Sequence, residues 1–202
     1  MNQIPFHYQR ELSSQAQRIA LLAKQNEQIF HVRDLANLWG VSNQNTLYTI
    51  LKRYVKSQLI YRIYKGFYST IDPEKIEPVL IGAKALHQYC YLSTETVLFR
   101  AGYISQKVEA FTFISAQSQK FKIGKNAFIS RQMADKFLYQ MDGIQQHGSV
   151  KIATLERAIA DMLYFNPFFH FYRPVQWDKI KRLQQKIGYP LTPQRYDSST
   201  TN

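Results

Sequence analysis

The basic residues of one stretch, residues 35–71, have types and spacing suited to contacts with phosphate groups. The stretch contains no Asp or Glu, and its basic residues are Lys52, Arg53, Lys56, Arg62 and Lys65. Phosphate repels carboxylates, and cations displace the counterions of DNA, so this charge pattern is the one expected of a DNA-facing surface. The alternatives are a solvated polar face or a protein-docking module. An ordinary solvated face, however, mixes both signs of charge.

The predicted DNA contacts fall into three groups. Polar side chains at the front of a predicted helix can address base edges in the major groove, or the phosphates beside them. Lys52 and Arg53, further along that helix, are placed for the flanking backbone, whereas Arg62 and Lys65 on a predicted hairpin can reach phosphates or the minor groove. The predicted DNA-binding residues are Ser42, Asn43, Gln44, Asn45, Tyr48, Thr49, Lys52, Arg53, Arg62 and Lys65.

A second stretch, residues 110–134, also lacks acidic residues. It contains Lys120, Lys122, Lys125 and Arg131, and strand alternation would place Lys120 and Lys122 on one exposed face. We interpret these four residues as a possible C-terminal basic surface that extends the DNA footprint, or binds tRNA or an acidic partner. An ordinary solvated sheet face is an equal alternative.

The sequence offers little for catalysis. The five histidines are scattered singly, without zinc-ligand spacing to Cys, Asp or Glu. No glycine-rich phosphate loop is present, and Gly148-Ser149 is not followed by the paired carboxylates of a nucleotidyltransferase. We therefore predict no catalytic residue, metal or cofactor. A nuclease built from dispersed carboxylates is the enzyme alternative.

The composition is that of a basic globular protein. The 202 residues include 26 Lys and Arg against 14 Asp and Glu, a formal charge of +12, which favours a polyanionic partner. The single cysteine, Cys90, indicates a reducing compartment, and neither a secretory signal nor an apolar membrane span is visible. The expected location is the cytoplasm, with no membrane partner.

The N-terminal elements predict a winged helix-turn-helix domain over residues 1–75. A helix capped by Ser13 or Ser14 precedes a short edge strand at Ile29-Phe30 and a helix from Val32 to Leu38. Gly40 can end that helix, Ser42 is the predicted N-cap of the next, and the hairpin turns at Lys65-Gly66. No single piece is specific, but their order is.

The remaining chain predicts an α+β domain over residues 76–192 and a flexible tail over 193–202. Helices are expected over 78–91, 93–101, 154–164 and 177–187, and strands over 111–115, 120–123, 127–130 and 150–153. Arg157 and Asp161, one helical turn apart, predict a structural ion pair. A dense aromatic run, residues 164–172, is interpreted as core under a loop.

Three blocks of the second domain resemble the C-terminal region of AbiEi-type antitoxins. They are residues 91–103 (YLSTETVLFRAGY), 111–115 (FTFIS) and 153–163 (ATLERAIADML). In that family the last block has a proline where this chain has Leu155, while Glu156, Arg157, Ala158 and Asp161 match. The family also begins with a winged helix domain, so the resemblance spans nearly the whole chain.

The resemblance implies a type IV toxin–antitoxin, or abortive-infection, operon. The antitoxin would repress its own promoter through the N-terminal domain, typically at inverted repeats in duplex DNA. The C-terminal domain would oppose a nucleotidyltransferase-like toxin, directly or indirectly. The alternative is a winged-helix transcriptional regulator whose C-terminal domain senses a ligand or dimerises, unrelated to a toxin.

Overall fold

The computed structural model of the chain describes residues 6–106 and 108–193, and of residues 6–13 only the backbone is described. Within these ranges the protein is mixed α+β, with eight α-helices and two sheets, which confirms the predicted class. The chain divides into two compact units after Glu77, whereas the predicted boundary followed residue 75. Nearly all of the predicted tail, residues 194–202, lies outside the described residues.

The first unit, residues 1–77, combines three helices with a three-stranded antiparallel sheet. Its strands lie in the order β1-β3-β2, so that β1 is the predicted edge strand. A 3₁₀ turn, Pro73–Lys75, follows the sheet. The elements are α1 (Phe6–Ala23), β1 (Ile29–His31), α2 (Val32–Trp39), α3 (Gln44–Lys56), β2 (Tyr61–Tyr64) and β3 (Phe67–Ser69).

Two helix starts in this unit differ from the prediction. Helix α1 spans Phe6–Ala23, so Ser13 and Ser14 lie inside it, because residues 9–12 (Gln, Arg, Glu and Leu) are good helix formers. The N-cap of α3 is Asn43, not Ser42: its side chain accepts a hydrogen bond from the Thr46 N–H at 3.0 Å. Asn caps as well as Ser does, and Asn43 lies three residues before the amide that needs an acceptor.

The link between α2 and α3 is short because a left-handed residue ends the first helix. Gly40 has φ +62°, as predicted, and the N–H of the next residue, Val41, donates to the Ala36 carbonyl at 3.0 Å. The buried faces of α2 and α3 then meet in one core. Its buried members are Leu22, Phe30, Leu35, Trp39, Leu47, Leu51, Tyr54, Ile60 and Tyr68.

The second unit, residues 78–202, is built on a six-stranded sheet in the order β6-β7-β5-β4-β9-β8. The β4–β9 and β5–β7 pairs are parallel and the other pairs are antiparallel. The elements are α4 (Pro78–Leu86), β4 (Cys90–Leu92), α5 (Thr94–Arg100), β5 (Ala110–Ser115), β6 (Gln119–Ile123), β7 (Asn126–Gln132), α6 (Asp135–Leu138), β8 (Ile144–His147), β9 (Val150–Ala153), α7 (Leu155–Phe165) and α8 (Trp177–Ile187).

The predicted helix over residues 78–91 is wrong in its second half. Helix α4 ends at Leu86, because His87 has the left-handed φ of +50°, and the chain then enters β4. Tyr91 and Leu92 are fully buried in the middle of the sheet. Burial, which periodicity did not reveal, therefore decides the conformation of this segment.

The predicted Arg157–Asp161 pair is present, and both side chains are fully buried. Arg157 Nε lies 2.8 Å from Asp161 Oδ1. The other guanidinium N–H groups donate to the Tyr91 hydroxyl at 2.8 Å and to main-chain carbonyls, including that of Gln140 at 2.9 Å. The Ser93 and Tyr189 hydroxyls each donate to Asp161 at 2.7 Å. This network joins α7 to β4 and to the chain after α8.

The aromatic run is only partly core. Phe171 is buried, and Tyr164, Phe165 and Phe169 pack against the main cluster of the unit. Phe168 and Tyr172, however, are 65% and 68% exposed, which contradicts the prediction for these two residues. They belong to the irregular segment between α7 and α8, where no helix period fixes which side chains turn inward.

Candidate nucleic-acid interface

All ten predicted DNA-binding residues are exposed. Eight of them lie on α3 or immediately before it, Arg62 lies on β2, and Lys65 lies in the turn between β2 and β3. Burial of Leu47, Leu51 and Tyr54 fixes which side of α3 faces the core. The polar side of the helix is therefore turned to solvent along its whole length.

The exposed side of α3 carries two parallel rows of side chains at four-residue spacing. One row is Gln44, Tyr48, Lys52 and Lys56, and the other is Asn45, Thr49, Arg53 and Ser57. In each row uncharged polar or aromatic side chains come first and a cation follows. The helix thus separates hydrogen-bonding groups at its front from positive charge towards its end.

Some predicted contact residues at the helix front already have structural roles. The Asn43 side-chain oxygen accepts hydrogen bonds from the Thr46 N–H and, at 3.3 Å, from its hydroxyl. Thr49 donates its hydroxyl proton to the Asn45 carbonyl at 2.9 Å. By contrast, the side chains of Gln44 and Asn45 form no hydrogen bond with the described residues. These two amides are the groups best able to donate to and accept from a ligand.

The hairpin flanks the first row of α3. Arg62 pairs with Tyr68 across the two strands. Burial raises the pKa of the Tyr68 phenol, the Arg62 guanidinium opposes that rise, and the Tyr48 phenol adds to it. Tyr68 also packs in the buried cluster that contains Leu47 and Leu51, so this part of the hairpin lies against α3.

The turn that carries Lys65 is fixed to the start of α2. The Val32 N–H donates to the Gly66 carbonyl at 2.8 Å. Gly66 has φ +78°, and a Cβ there would lie 3.4 Å from His31 Nε2, so glycine suits both the turn and the contact. The exposed Lys65 is thus presented by an anchored turn.

The second row of α3 lines a groove whose other wall is α1. The groove has a volume of about 640 Å³, and its described lining contains no acidic residue. Ser14, Gln15 and Arg18 of α1 face Asn45 and Arg53 of α3 across it. The sequence interpretation missed these α1 residues because it used only the apolar face of that helix. The spacing of Gln15 and Arg18, three residues apart, was the available signal.

The basic residues of the hairpin and the first row have no acidic partner in the part of the chain that the structure describes. Within the described parts of the chain, Lys52, Arg62 and Lys65 form no ion pair. Such exposed cations retain their counterions in solution and can exchange them for phosphates. Chemically, the cations of this surface can bind a polyanion, and its amide and hydroxyl groups can form hydrogen bonds with groups between the phosphates.

The predicted C-terminal basic surface is only partly as expected. Lys120 and Lys122 are exposed on β6, and Lys125 is exposed in the β6–β7 turn. Arg131 on β7, however, forms an ion pair with Glu95 of α5. The acid-free stretch in the sequence is therefore not an acid-free surface, because α5 supplies a carboxylate from outside it.

Two further observations bear on other chemistry. Among the described residues no group of three or more His, Cys, Asp or Glu side chains is placed to hold a metal ion, and no helix is long and apolar enough to cross a membrane. Burial raises the pKa of the Cys90 thiol to about 12, so this thiol stays protonated at neutral pH.

Comparisons with known proteins add no family to these observations. No protein-family model matches the chain, and no curated protein matches it.

Proposed function

We propose that this protein is a transcriptional regulator that binds duplex DNA through α3 and the β2–β3 hairpin. The observation that carries the proposal is the acid-free, exposed surface of these two elements, with Lys52, Arg62 and Lys65 unpaired among the described residues. The order helix, strand, helix, glycine turn, helix, hairpin supports its assignment as a winged helix-turn-helix.

The dimensions of α3 agree with a major-groove element. Its 13 residues correspond to about 20 Å of helix at about 1.5 Å per residue. The major groove, about 12 Å wide, admits an α-helix side on. In that position Gln44 and Asn45 would face base edges, and Lys52 and Arg53 would face the flanking phosphates.

The proposal is tested by the salt dependence of DNA binding. Lys52→Ala/Arg53→Ala should weaken binding to every duplex and reduce the slope of log K against log salt by about 2, because each lost phosphate contact removes about 0.9. Fluorescence anisotropy of a labelled duplex between low and moderate salt measures both quantities. The control Lys24→Ala/Lys75→Ala removes two exposed charges of the same unit outside α3 and the hairpin.

For the whole chain we propose the role of antitoxin and autorepressor in a type IV toxin–antitoxin system, acting on its own promoter and opposing a nucleotidyltransferase-like toxin. The resemblance of residues 91–103, 111–115 and 153–163 to AbiEi-type antitoxins supports this role. The matching Arg157, Ala158 and Asp161 are buried, so they argue for a shared core and not for a toxin contact.

The neighbouring gene provides the test of the antitoxin role. We expect a nucleotidyltransferase reading frame beside this gene. Expression of that reading frame should be toxic, and co-expression of this protein should relieve the toxicity. A regulator whose second unit senses a ligand is the alternative, and an open cavity in that unit favours it. Absence of any toxic neighbour would select this alternative without affecting the DNA-binding proposal.

A further inference from the structure

The second unit contains an open cavity of about 800 Å³ on one face of strands β5, β6 and β7. Strand register aligns Lys120 with Ile129, and Ile129 with Thr112. One step along, Lys122 aligns with Ala127, and Ala127 with Ala110. Residues aligned across neighbouring strands share a face. The two lysines therefore lie on the same face as the aligned residues of β5 and β7, which form the floor of the cavity.

The opposite face of the same strands is core. Phe128 stacks on Phe111 and on Phe121, with ring centroids 5.7 and 5.2 Å apart. Helix α4 packs closely there, since a Cβ on Gly82 would lie 2.9 Å from the Phe113 ring and closer still to Phe128. Helix α4 therefore covers this side of the sheet. On the lysine-bearing side α5 lies against β5, where the Thr112 N–H donates to the Thr96 hydroxyl, while Lys120 and Lys122 of β6 are exposed.

The floor and the charges of the cavity are clearly separated. Ala110, Ala127 and Ile129 give the floor an apolar surface. Lys120 and Lys122 stand at its edge strand, exposed, and form no ion pair within the described residues. The cavity thus offers positive charge next to a surface that would favour a flat apolar group.

Two carboxylates, Glu95 and Glu109, are part of the cavity lining. Glu95 uses Oε1 to pair with Arg131, whose guanidinium also lies over the Phe165 ring, 5.4 Å from its centroid. Its other oxygen, Oε2, is buried and accepts no hydrogen bond among the described residues. The exposed Glu109 also lines the cavity and forms no ion pair among the described residues, so its carboxylate can accept a hydrogen bond from a ligand with an N–H donor.

We propose that this cavity binds a mononucleotide. Its phosphates would lie at Lys120 and Lys122, its base would cover the apolar floor, and a base N–H would reach the exposed Glu109 carboxylate. The volume lies within the range of about 300–1,000 Å³ found for small-molecule sites. An inorganic polyphosphate would leave the floor uncovered, and a fatty acid would leave Glu109 without a donor. The site is independent of the DNA-binding surface proposed above.

The ligand test compares ADP with its two halves on the full chain. Isothermal titration should detect ADP binding, with adenosine and pyrophosphate each weaker by about tenfold or more, since each half loses one set of contacts. Pyrophosphate binding as tight as that of ADP would overturn the proposal, as would no ADP binding at millimolar concentration. Binding of single-stranded RNA but not of ADP would overturn it in favour of a macromolecule.

Variants of the cavity complete the test. Lys120→Ala/Lys122→Ala should weaken ADP binding about tenfold or more, whereas Lys179→Ala/Arg182→Ala, which removes two exposed charges of α8, should leave it unchanged. Ala127→Leu keeps every charge but fills the floor, and should weaken ADP and adenosine while sparing pyrophosphate. Equal effects of the β6 and α8 variants would contradict the assignment. Because each variant is also tested for duplex binding, failure here stays distinct from failure of the DNA-binding proposal.

Discussion

The two basic regions of this protein look alike in the sequence and differ in the structure. Residues 35–71 and 110–134 both lack acidic residues. On α3 and the hairpin, Lys52, Arg62 and Lys65 remain unpaired among the described residues. On the β6–β7 face, by contrast, Glu95 of α5 pairs with Arg131.

This difference follows from how the two surfaces are built. A helix with its adjoining hairpin is local, so the charges of its sequence are largely the charges of its surface. The six-stranded sheet assembles segments that are distant in the chain, and helices packed on it bring in their own charges. An acid-free stretch therefore describes the charge of a surface less completely for the second kind of structure than for the first.

The largest effect is expected on stability, at a cation that is buried and not exposed. Arg157→Met should lower the free energy of unfolding of the second unit by about 3–5 kcal/mol, because it leaves the Asp161 carboxylate buried without its partner. Chemical denaturation followed by circular dichroism measures this loss. The double variant Arg157→Met/Asp161→Leu should be less destabilised than the single one, and equal stability of the two would refute an uncompensated charge as the cause.

The next effect concerns sequence discrimination at the front of α3. Gln44→Ala/Asn45→Ala should reduce the preference for a selected duplex over random DNA by about tenfold or more, while leaving the affinity for random DNA nearly unchanged. Competition binding with duplexes selected from a random pool by the unaltered protein measures this ratio. If discrimination were retained, α3 would not be the element that contacts base edges.

A smaller effect is expected from the α1 side of the groove. Arg18→Ala should weaken duplex binding by a few fold and reduce the salt slope by about 0.9, the contribution of one phosphate contact. Lys24→Ala, beyond the C-terminal end of α1, serves as its control. Equal salt slopes for the two variants would remove Arg18 from the interface and leave the hairpin as the main flank of α3.

The smallest effect tests the ion pair of the second unit's basic surface, between Arg131 and Glu95. Glu95→Gln should free Arg131 and raise the affinity for pyrophosphate by a few fold, since it adds one net positive charge to the cavity. Titration calorimetry under the conditions used for ADP measures it. An unchanged or lower affinity would mean that Glu95 does not limit the positive potential there.

Periodicity and capping residues predicted α7 and α8 closely, whereas the short helix α6 was not predicted. Helix α8 has the predicted bounds and is ended by Gly188 at φ +85°, and α7 is capped by the predicted Thr154. The register of α3 was predictable because its apolar residues are spaced for one buried side. The edge strand β8 was missed, since three of its four residues are exposed and show no alternation.

Non-local contacts explain the remaining errors. His87, whose left-handed φ ends α4 before β4, is not a glycine, so the sequence did not show that the helix ends there. The Glu95–Arg131 pair joins residues of α5 and β7, and the cavity near it depends on strand register. Neither is visible in a linear pattern of charges. The sequence could therefore indicate which side of a helix faces solvent, but not which distant residues the sheet brings together.

The decisive measurement is a map of the DNA contact surface by NMR. The ¹⁵N-labelled full chain would be titrated with a random duplex of about 15 base pairs, roughly one and a half helical turns, at low salt. Amide shifts should concentrate in residues 42–53 and 62–66, with the β6 amides unaffected. Shifts confined to the second unit, or no shift in α3 at saturating DNA, would contradict the assignment of this surface to DNA.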